Sequence, residues 1–442
     1  MYRFRWVACQ IDELKRCPNQ KSIMETLRSL PKSLESTYDQ IFQRIDEKEI
    51  PAARVILQWL VLGMRPLTAE ELAIIVTFDT SAGNFDSSLG LASPDDVIHL
   101  CSSLVIKTGD NTVQLAHASV KEYFLQKAGN IALFANSELG HTHIADCCLT
   151  FLLDNMENTP GYKELTEYSA KFWPSHYRCS NRNETLQDLV KIVLWDADWA
   201  FKKCEYHNAD FKQLEWKYKE KRSPLHYAAQ LGLEDIMKVT LINNEWQWAY
   251  CALLEIGVNE GYIGIVELLL DRGVDINTQV GKIGNALQIA SYRGYPEIVE
   301  LLLERNADVN AQGSGTYGNA LQAAASDGHI DIVMLLLDWG ADVNAQGGEF
   351  GNALEAATLF GYTEIVRLLL DKNADISVVH EEFGGVLQIA SAQGFTEIVR
   401  MFLDKNADVN AQNGVDNRTA LGAASANGQT EIVRLLDRKS VV

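Results

Sequence analysis

The chain has 442 residues, 47% hydrophobic and 22% charged, with a formal net charge of −20 at pH 7; it is long enough to bury more than one core and too acidic for a phosphate-binding surface, which argues against nucleic acid as a partner. The N-terminal Met-Tyr-Arg-Phe-Arg-Trp has no apolar core of signal-peptide length, and the longest apolar stretches, near 55–62 and 147–153, are too short to span a bilayer. The eight cysteines never form a C-x-x-C pair, a spread that a reducing compartment permits, so a cytoplasmic location is expected.

Residues 1–222 carry 26 basic and 30 acidic side chains and residues 223–442 carry 13 and 29, a change that implies a boundary near 221–223. In chain order, 1–50 reads as a helical segment, and Ser22-x-x-Glu25, Thr68-x-x-Glu71 and Ser119-x-x-Glu122 read as capping boxes at helix starts. Ser93-Pro94 places proline at a first helical position. Two runs, Ser103–Thr108 and Thr112–His117, flank Gly-Asp-Asn and predict a hairpin. Helix, helix, hairpin, helix is winged-helix order, which we place at 51–130, and the Trp-rich stretch within 131–222 reads as a helical connector.

Phe4-Arg5-Trp6, Leu30-Pro31-x3-Glu35-x2-Tyr38, Arg65-Pro66-Leu67-Thr68-x-Glu70-Glu71-Leu72 and His117-x-Ser119-Val120-Lys121-Glu122-Tyr123 resemble the region that follows the nucleotide-binding module in fungal NACHT–ankyrin proteins, which are NLR-like signalling ATPases. The winged helix is similar to that of GPI inositol-deacylases. The resemblance implies a protein in which repeats sense and an NTPase switches. No G-x-x-x-x-G-K-[ST] loop occurs in the chain, so ATP hydrolysis is not implied for it, and no G-x-S-x-G elbow supports a deacylase. The NACHT module is expected to be absent, leaving a C-terminal portion that reads as a fragment.

From 223 to 442 the chain is periodic. Gly261, Gly294, Gly328, Gly361, Gly394 and Gly428 follow Ala-rich segments at steps of 33, 34, 33, 33 and 34, and Asp-x-Asn turns keep the same register. Each unit predicts a short Ala-rich helix, a Leu-rich amphipathic helix, and a left-handed stop at Gly273, Asn306, Gly340, Asn373 and Asn406. Ser-Pro-Leu-His-Tyr-Ala-Ala at 223–229 carries the resemblance to ankyrin repeats, of which we count about seven. The predicted fold is therefore mainly α: an N-terminal helical and winged-helix region followed by an α-solenoid of ankyrin repeats. From Gly284 on, Gly-Asn-Ala-Leu replaces the family's Thr-Pro-Leu-His, removing the Thr/His bonding at those helix starts.

Solenoids of this kind recognise proteins through an extended surface rather than a closed cavity. The expected contact residues are unrepeated ones beside the repeat glycine, namely Tyr292, Arg293, Asp327, Phe360 and Gln393. A column at the hairpin tips, Ile283, Tyr317, Phe350 and Phe383, adds to them. That column fits either a partner surface or side chains stacked on each other as structure. The expected function is a non-enzymatic protein-recognition scaffold without cofactor, metal, membrane or small-molecule substrate. The alternatives are the regulatory end of a NACHT NTPase and a winged-helix DNA-binding regulator. His141, His143, Cys147 and Cys148 share a helical face but find no second ligand pair for zinc, and His117 with Ser119 reads better as a helix start than as a catalytic pair. Glu70, Glu71, Asp95 and Asp96 on the candidate recognition helices would repel DNA phosphates.

Overall fold

The computed structural model describes residues 11, 15, 18–29, 33–126, 137–154, 160–196, 224–241, 249–280, 284–313, 316–380, 384–412 and 418–440. The motifs at 4–6 and 30–31 and the expected boundary at 221–223 lie outside them, as does the connector beyond 196. The chain divides into two compact units, Met1–Pro224 and Leu225–Val442.

In the first unit α1 (Gln20–Ser29) and α2 (Leu34–Gln43) precede α3 (Ile50–Leu62). Then come β1 (Leu67–Thr68), α4 (Ala69–Val76), and the two-residue strands β2 (Phe78–Asp79) and β3 (Asn84–Phe85). The unit continues with α5 (Asp96–Cys101), β4 (Val105–Lys107), β5 (Thr112–Leu115) and α6 (Ala118–Gln126). β1, β5 and β4 form a three-stranded antiparallel sheet with Leu67 opposite Val113 and Val105 opposite Leu115, which is the wing. Leu67 and Val113 are fully buried with Ile56, Leu72, Ile75 and Val97, so the small sheet closes one side of a helical core. α7 (Ser137–Leu153), α8 (Tyr162–Arg178) and α9 (Glu184–Lys191) complete the unit.

Of the three expected capping boxes, the one at Thr68 forms: its hydroxyl accepts from the Glu71 N–H (3.2 Å) and the Glu71 carboxylate accepts from the Thr68 N–H (2.8 Å). The other two are corrected. Asn19 caps α1, accepting from the Ser22 N–H at 2.9 Å, and His117 Nδ1 accepts from the Ser119 N–H at 3.1 Å, so Ser22 and Ser119 lie inside the first turn. In both cases a residue two or three positions earlier captured the free N–H. At Ser93, the proline begins a turn and α5 starts only at Asp96.

The second unit contains, among the described residues, seven helix pairs. They are α10 (Pro224–Gln230) with α11 (Glu234–Thr240), α12 (Tyr250–Asn259) with α13 (Ile263–Asp271), and α14 (Ala286–Arg293) with α15 (Pro296–Glu304). Next are α16 (Ala320–Asp327) with α17 (Ile330–Asp338) and α18 (Ala353–Phe360) with α19 (Thr363–Asp371). The last two are α20 (Val386–Gln393) with α21 (Thr396–Asp404) and α22 (Ala420–Ala426) with α23 (Thr430–Ser440). Alanine columns such as Ala323, Ala324 and Ala325 are fully buried where first helices meet, and Ile332, Val333 and Leu336 bury the second helix. All five expected stops are left-handed, with φ from 63° at Asn373 to 87° at Gly340.

The Asp-x-Asn turns are stitched to one another. The side-chain oxygens of Asn277, Asn310 and Asn344 accept from the backbone N–H of Asp308, Asp342 and Asp375 in the next unit at 2.8–2.9 Å. Where Thr-Pro-Leu-His is replaced, asparagine takes over the cap: Asn285, Asn319 and Asn352 accept from the N–H three residues on at 2.8–3.0 Å. Asn319→Ala is therefore expected to lower the array's stability by about 1 kcal/mol, read from the urea midpoint. An unchanged midpoint would remove the cap from the account. Gly361 illustrates why the repeat glycine recurs: its φ is +78°, and a Cβ there would lie 2.6 Å from the Phe395 ring of the next unit.

Candidate functional site

Surface aromatic residues that the period does not explain form a ladder along the hairpin side of the array. Tyr292, at the end of α14, stacks on Tyr317 with ring centroids 4.7 Å apart, and Tyr317 meets Phe350 at 5.9 Å. Phe350 meets Phe360 edge-on at 5.5 Å, and Phe360 approaches Tyr362 at 6.4 Å. The ladder thus crosses three successive units. Tyr317 and Phe350 are half-buried by this stacking, whereas Phe360 remains 47% exposed. Burial and then the Tyr292 hydroxyl push the Tyr317 phenol above its ordinary range, so it presents a neutral ring.

Arg293 flanks the ladder. Its guanidinium lies 5.8 Å from the Tyr292 ring centre and donates to the Asn259 side-chain oxygen at 2.7 and 3.0 Å, which fixes the cation beside the rings. Asp327 pairs with His329 at 3.0 Å, and the same His329 nitrogen lies 3.0 Å from the Tyr292 carbonyl. The structure therefore gathers Tyr292, Arg293, Tyr317, Asp327, Phe350 and Phe360 about one strip. Gln393 is exposed on α20, outside this run of stacked rings. Ile283 and Phe383 lie outside the described residues.

His141, Cys147 and Cys148 of α7 are packing groups. His141 Nδ1 lies 2.8 Å from His176 Nδ1, and His176, fully buried, meets the Tyr168 hydroxyl at 2.9 Å through Nε2. Burial, reinforced by His141, pushes His176 down to about 3, so it is neutral. Cys147 and Cys148 are buried thiols, Cys148 pushed up to about 12 by burial. Among the described residues no cluster of three His, Cys, Asp or Glu could hold a metal ion. His117 Nδ1 lies 2.7 Å from Ser119 Oγ, but that hydroxyl is buried and shared with the Tyr38 hydroxyl at 2.8 Å, which leaves it inaccessible as a nucleophile. No helix among the described residues is long and apolar enough to cross a membrane.

The chain matches the family model "GPI inositol-deacylase, winged helix domain" over residues 38–137. Ankyrin-repeat models match 250–303, 287–380 and 354–440. The chain joins a GPI inositol-deacylase-type winged helix to ankyrin repeats. It is also similar to the azaphilone pigments biosynthesis cluster protein L of Monascus ruber, 34% identical over 319 residues, which is 62% of this chain and 66% of that protein. The chain thus spans just under two thirds of the length of this curated relative.

Within the ankyrin units, sequence reasoning missed one column. Gln288, Gln322 and Gln388 each send the side-chain nitrogen to two carbonyls of the following hairpin: Ala311 and Gly318, Ala345 and Gly351, Ala411 and Arg418, at 2.6–3.2 Å. These bonds fix the hairpins that carry Tyr317 and Phe350. The recurrence of Gln three residues after the cap was a visible signal, but its partners lie 23 or more residues away.

Proposed function

We propose that the chain is a cytoplasmic, non-enzymatic recognition and regulatory scaffold whose ankyrin surface binds a protein ligand at the Tyr292–Phe360 strip. The observation that carries this reading is the ladder itself: aromatic rings and an arginine, the residue types that dominate interface energetics, are held rigid by stacking and end on a half-exposed Phe360. Rigid anchors lose little conformational entropy on binding. Stacking and recognition are then one device rather than alternatives. The described cysteines 101, 147, 148, 179 and 251 are free, which suits a reducing compartment. Lys107 of the wing is taken up by Asp95 at 2.7 Å, which supports protein rather than DNA as the ligand.

The likeness to a pigment-cluster protein directs the ligand search toward proteins encoded with biosynthetic pathways, and it favours no chemical step in this chain. A second reading, the regulatory end of a NACHT NTPase, draws on the winged-helix type. An in-frame P-loop upstream in the mapped transcript would favour it. For the leading reading, the full chain and its Tyr317→Ser/Phe350→Ser/Phe360→Ser variant are used as bait in native extract, with mass spectrometry of bound proteins. A partner enriched on the parent chain and lost from the folded variant is expected; identical bound sets would overturn the assignment to this strip.

A further inference from the structure

The first unit contains a cavity of about 210 Å³ between α3, α7 and the segment from Ile75 to Thr80. Trp59, Phe78, Val55 and Ile75 give it apolar walls. Four polar side chains also line it: Arg54, Gln58, Thr80 and His143. Gln58 is only 3% exposed and its amide nitrogen has no hydrogen-bond partner, and Arg54 Nε is likewise buried and unpartnered. A buried donor without a partner leaves its lost hydration uncompensated, and both residues line the cavity, so a ligand acceptor that reached them would relieve that cost. Burial holds His143 below its ordinary value, leaving it a neutral imidazole able to donate one hydrogen bond.

From these groups we infer that the cavity binds a small monocarboxylate with an apolar body, its carboxylate on Arg54, Gln58 and Thr80 and its body against Trp59 and Phe78. One arginine without an ion-pair partner among the described residues matches a single negative charge, and the donor-rich lining matches an acceptor-only head group. An apolar cavity of roughly 150 Å³ holds benzene, so this one fits about eight or nine non-hydrogen atoms, the size of benzoate or hexanoate. Water alone would satisfy the polar end but not the aromatic wall. The site lies on α3 and α7, and α3 also holds Trp59 against Tyr168 of α8 at 5.3 Å, so occupancy would be felt in the packing of the helices after the wing.

Isothermal titration of the full chain with benzoate and hexanoate, against benzyl alcohol and hexanol, tests the site. The carboxylates are expected to bind with a dissociation constant of about 1 mM or tighter, with the alcohols at least roughly tenfold weaker. Arg54→Gln should abolish that preference. Thr80→Val, on an exposed residue whose substitution leaves the core intact, should weaken carboxylate binding about three- to tenfold, which keeps the test open if Arg54→Gln misfolds. Absence of carboxylate binding, equal binding of the alcohols, or undiminished binding by a folded Arg54→Gln chain would overturn the inference and leave the cavity to water.

Discussion

Arg65→Ala is expected to cost the winged-helix unit about 3 kcal/mol or more. Arg65 forks onto Glu71 at 2.6 and 3.1 Å, donates to the Glu164 carbonyl of α8 at 2.9 Å, and covers the Tyr168 ring at 5.1 Å. The Glu71 side chain is fully buried, so removing the arginine leaves its carboxylate with the Thr68 N–H and no counter-ion. Arg65→Lys keeps the charge but loses the fork and should fall between parent and alanine variant. In Arg65→Ala/Glu71→Gln the buried charge is gone, and part of the loss should return. Hydrogen exchange of α4 and α8 reads the effect locally. Equal protection in Arg65→Ala and the parent chain would show that the pair does not hold these helices.

Glu355→Gln should stabilise the ankyrin array by about 1–3 kcal/mol at pH 8. Glu355 stands where Gln288, Gln322 and Gln388 donate to the next hairpin. Its Oε2 accepts from the Asn352 N–H at 2.9 Å, while its Oε1 is buried without a partner. An ionised carboxylate has no proton to donate to those carbonyls. Burial pushes Glu355 up to about 7 from its ordinary 4.5. A raised carboxyl binds its proton more tightly in the folded chain, so its contribution is full below about 4.5 and is lost as pH rises toward 7. Stability of the parent chain should therefore fall across that window, and Glu355→Gln should remove this component. Urea unfolding at pH 5 and pH 8 checks both statements. A variant no more stable than the parent at pH 8 would contradict them. The exception falls in the unit that also carries Phe350 and Phe360, and departures from a repeated rule tend to lie near functional positions.

Much of this structure is written in short-range signals. The 33-residue glycine column, the Gly and Asn stops and the Asp-x-Asn turns each act within a few residues, and the structure places them as their chemistry demands. The winged-helix order was legible for the same reason, since Thr68 with Glu71 and the Gly-Asp-Asn turn are local devices. Capping boxes at Ser22 and Ser119 misled because the same four-residue pattern also fits inside a first turn; Asn19 and His117, three and two residues earlier, accept from the Ser22 and Ser119 N–H groups. Replacement of Thr-Pro-Leu-His was visible, but its compensation by Asn caps and by Gln side chains reaching the next unit depends on stacking. Tyr317 and Phe350 were singled out from their column. Their stacking with Tyr292 and Phe360 joins helix ends to hairpins across units, which no spacing rule encodes. The cavity draws on α3, α7 and the segment between 75 and 80, and its unpartnered Gln58 emerges only from packing.

Recognition by the unrepeated strip is the central claim, and comparing two faces of the same array tests it directly. Once a partner is captured, its affinity is measured by titration for the parent chain, for Tyr317→Ser/Phe350→Ser/Phe360→Ser, and for a control in which exposed Ile263 and Met334 of the second helices are changed to serine. The ladder variant is expected to lose about 100-fold or more in affinity, while the control stays within about threefold of the parent. Equal losses in the two folded variants, or none in the ladder variant, would contradict the claim.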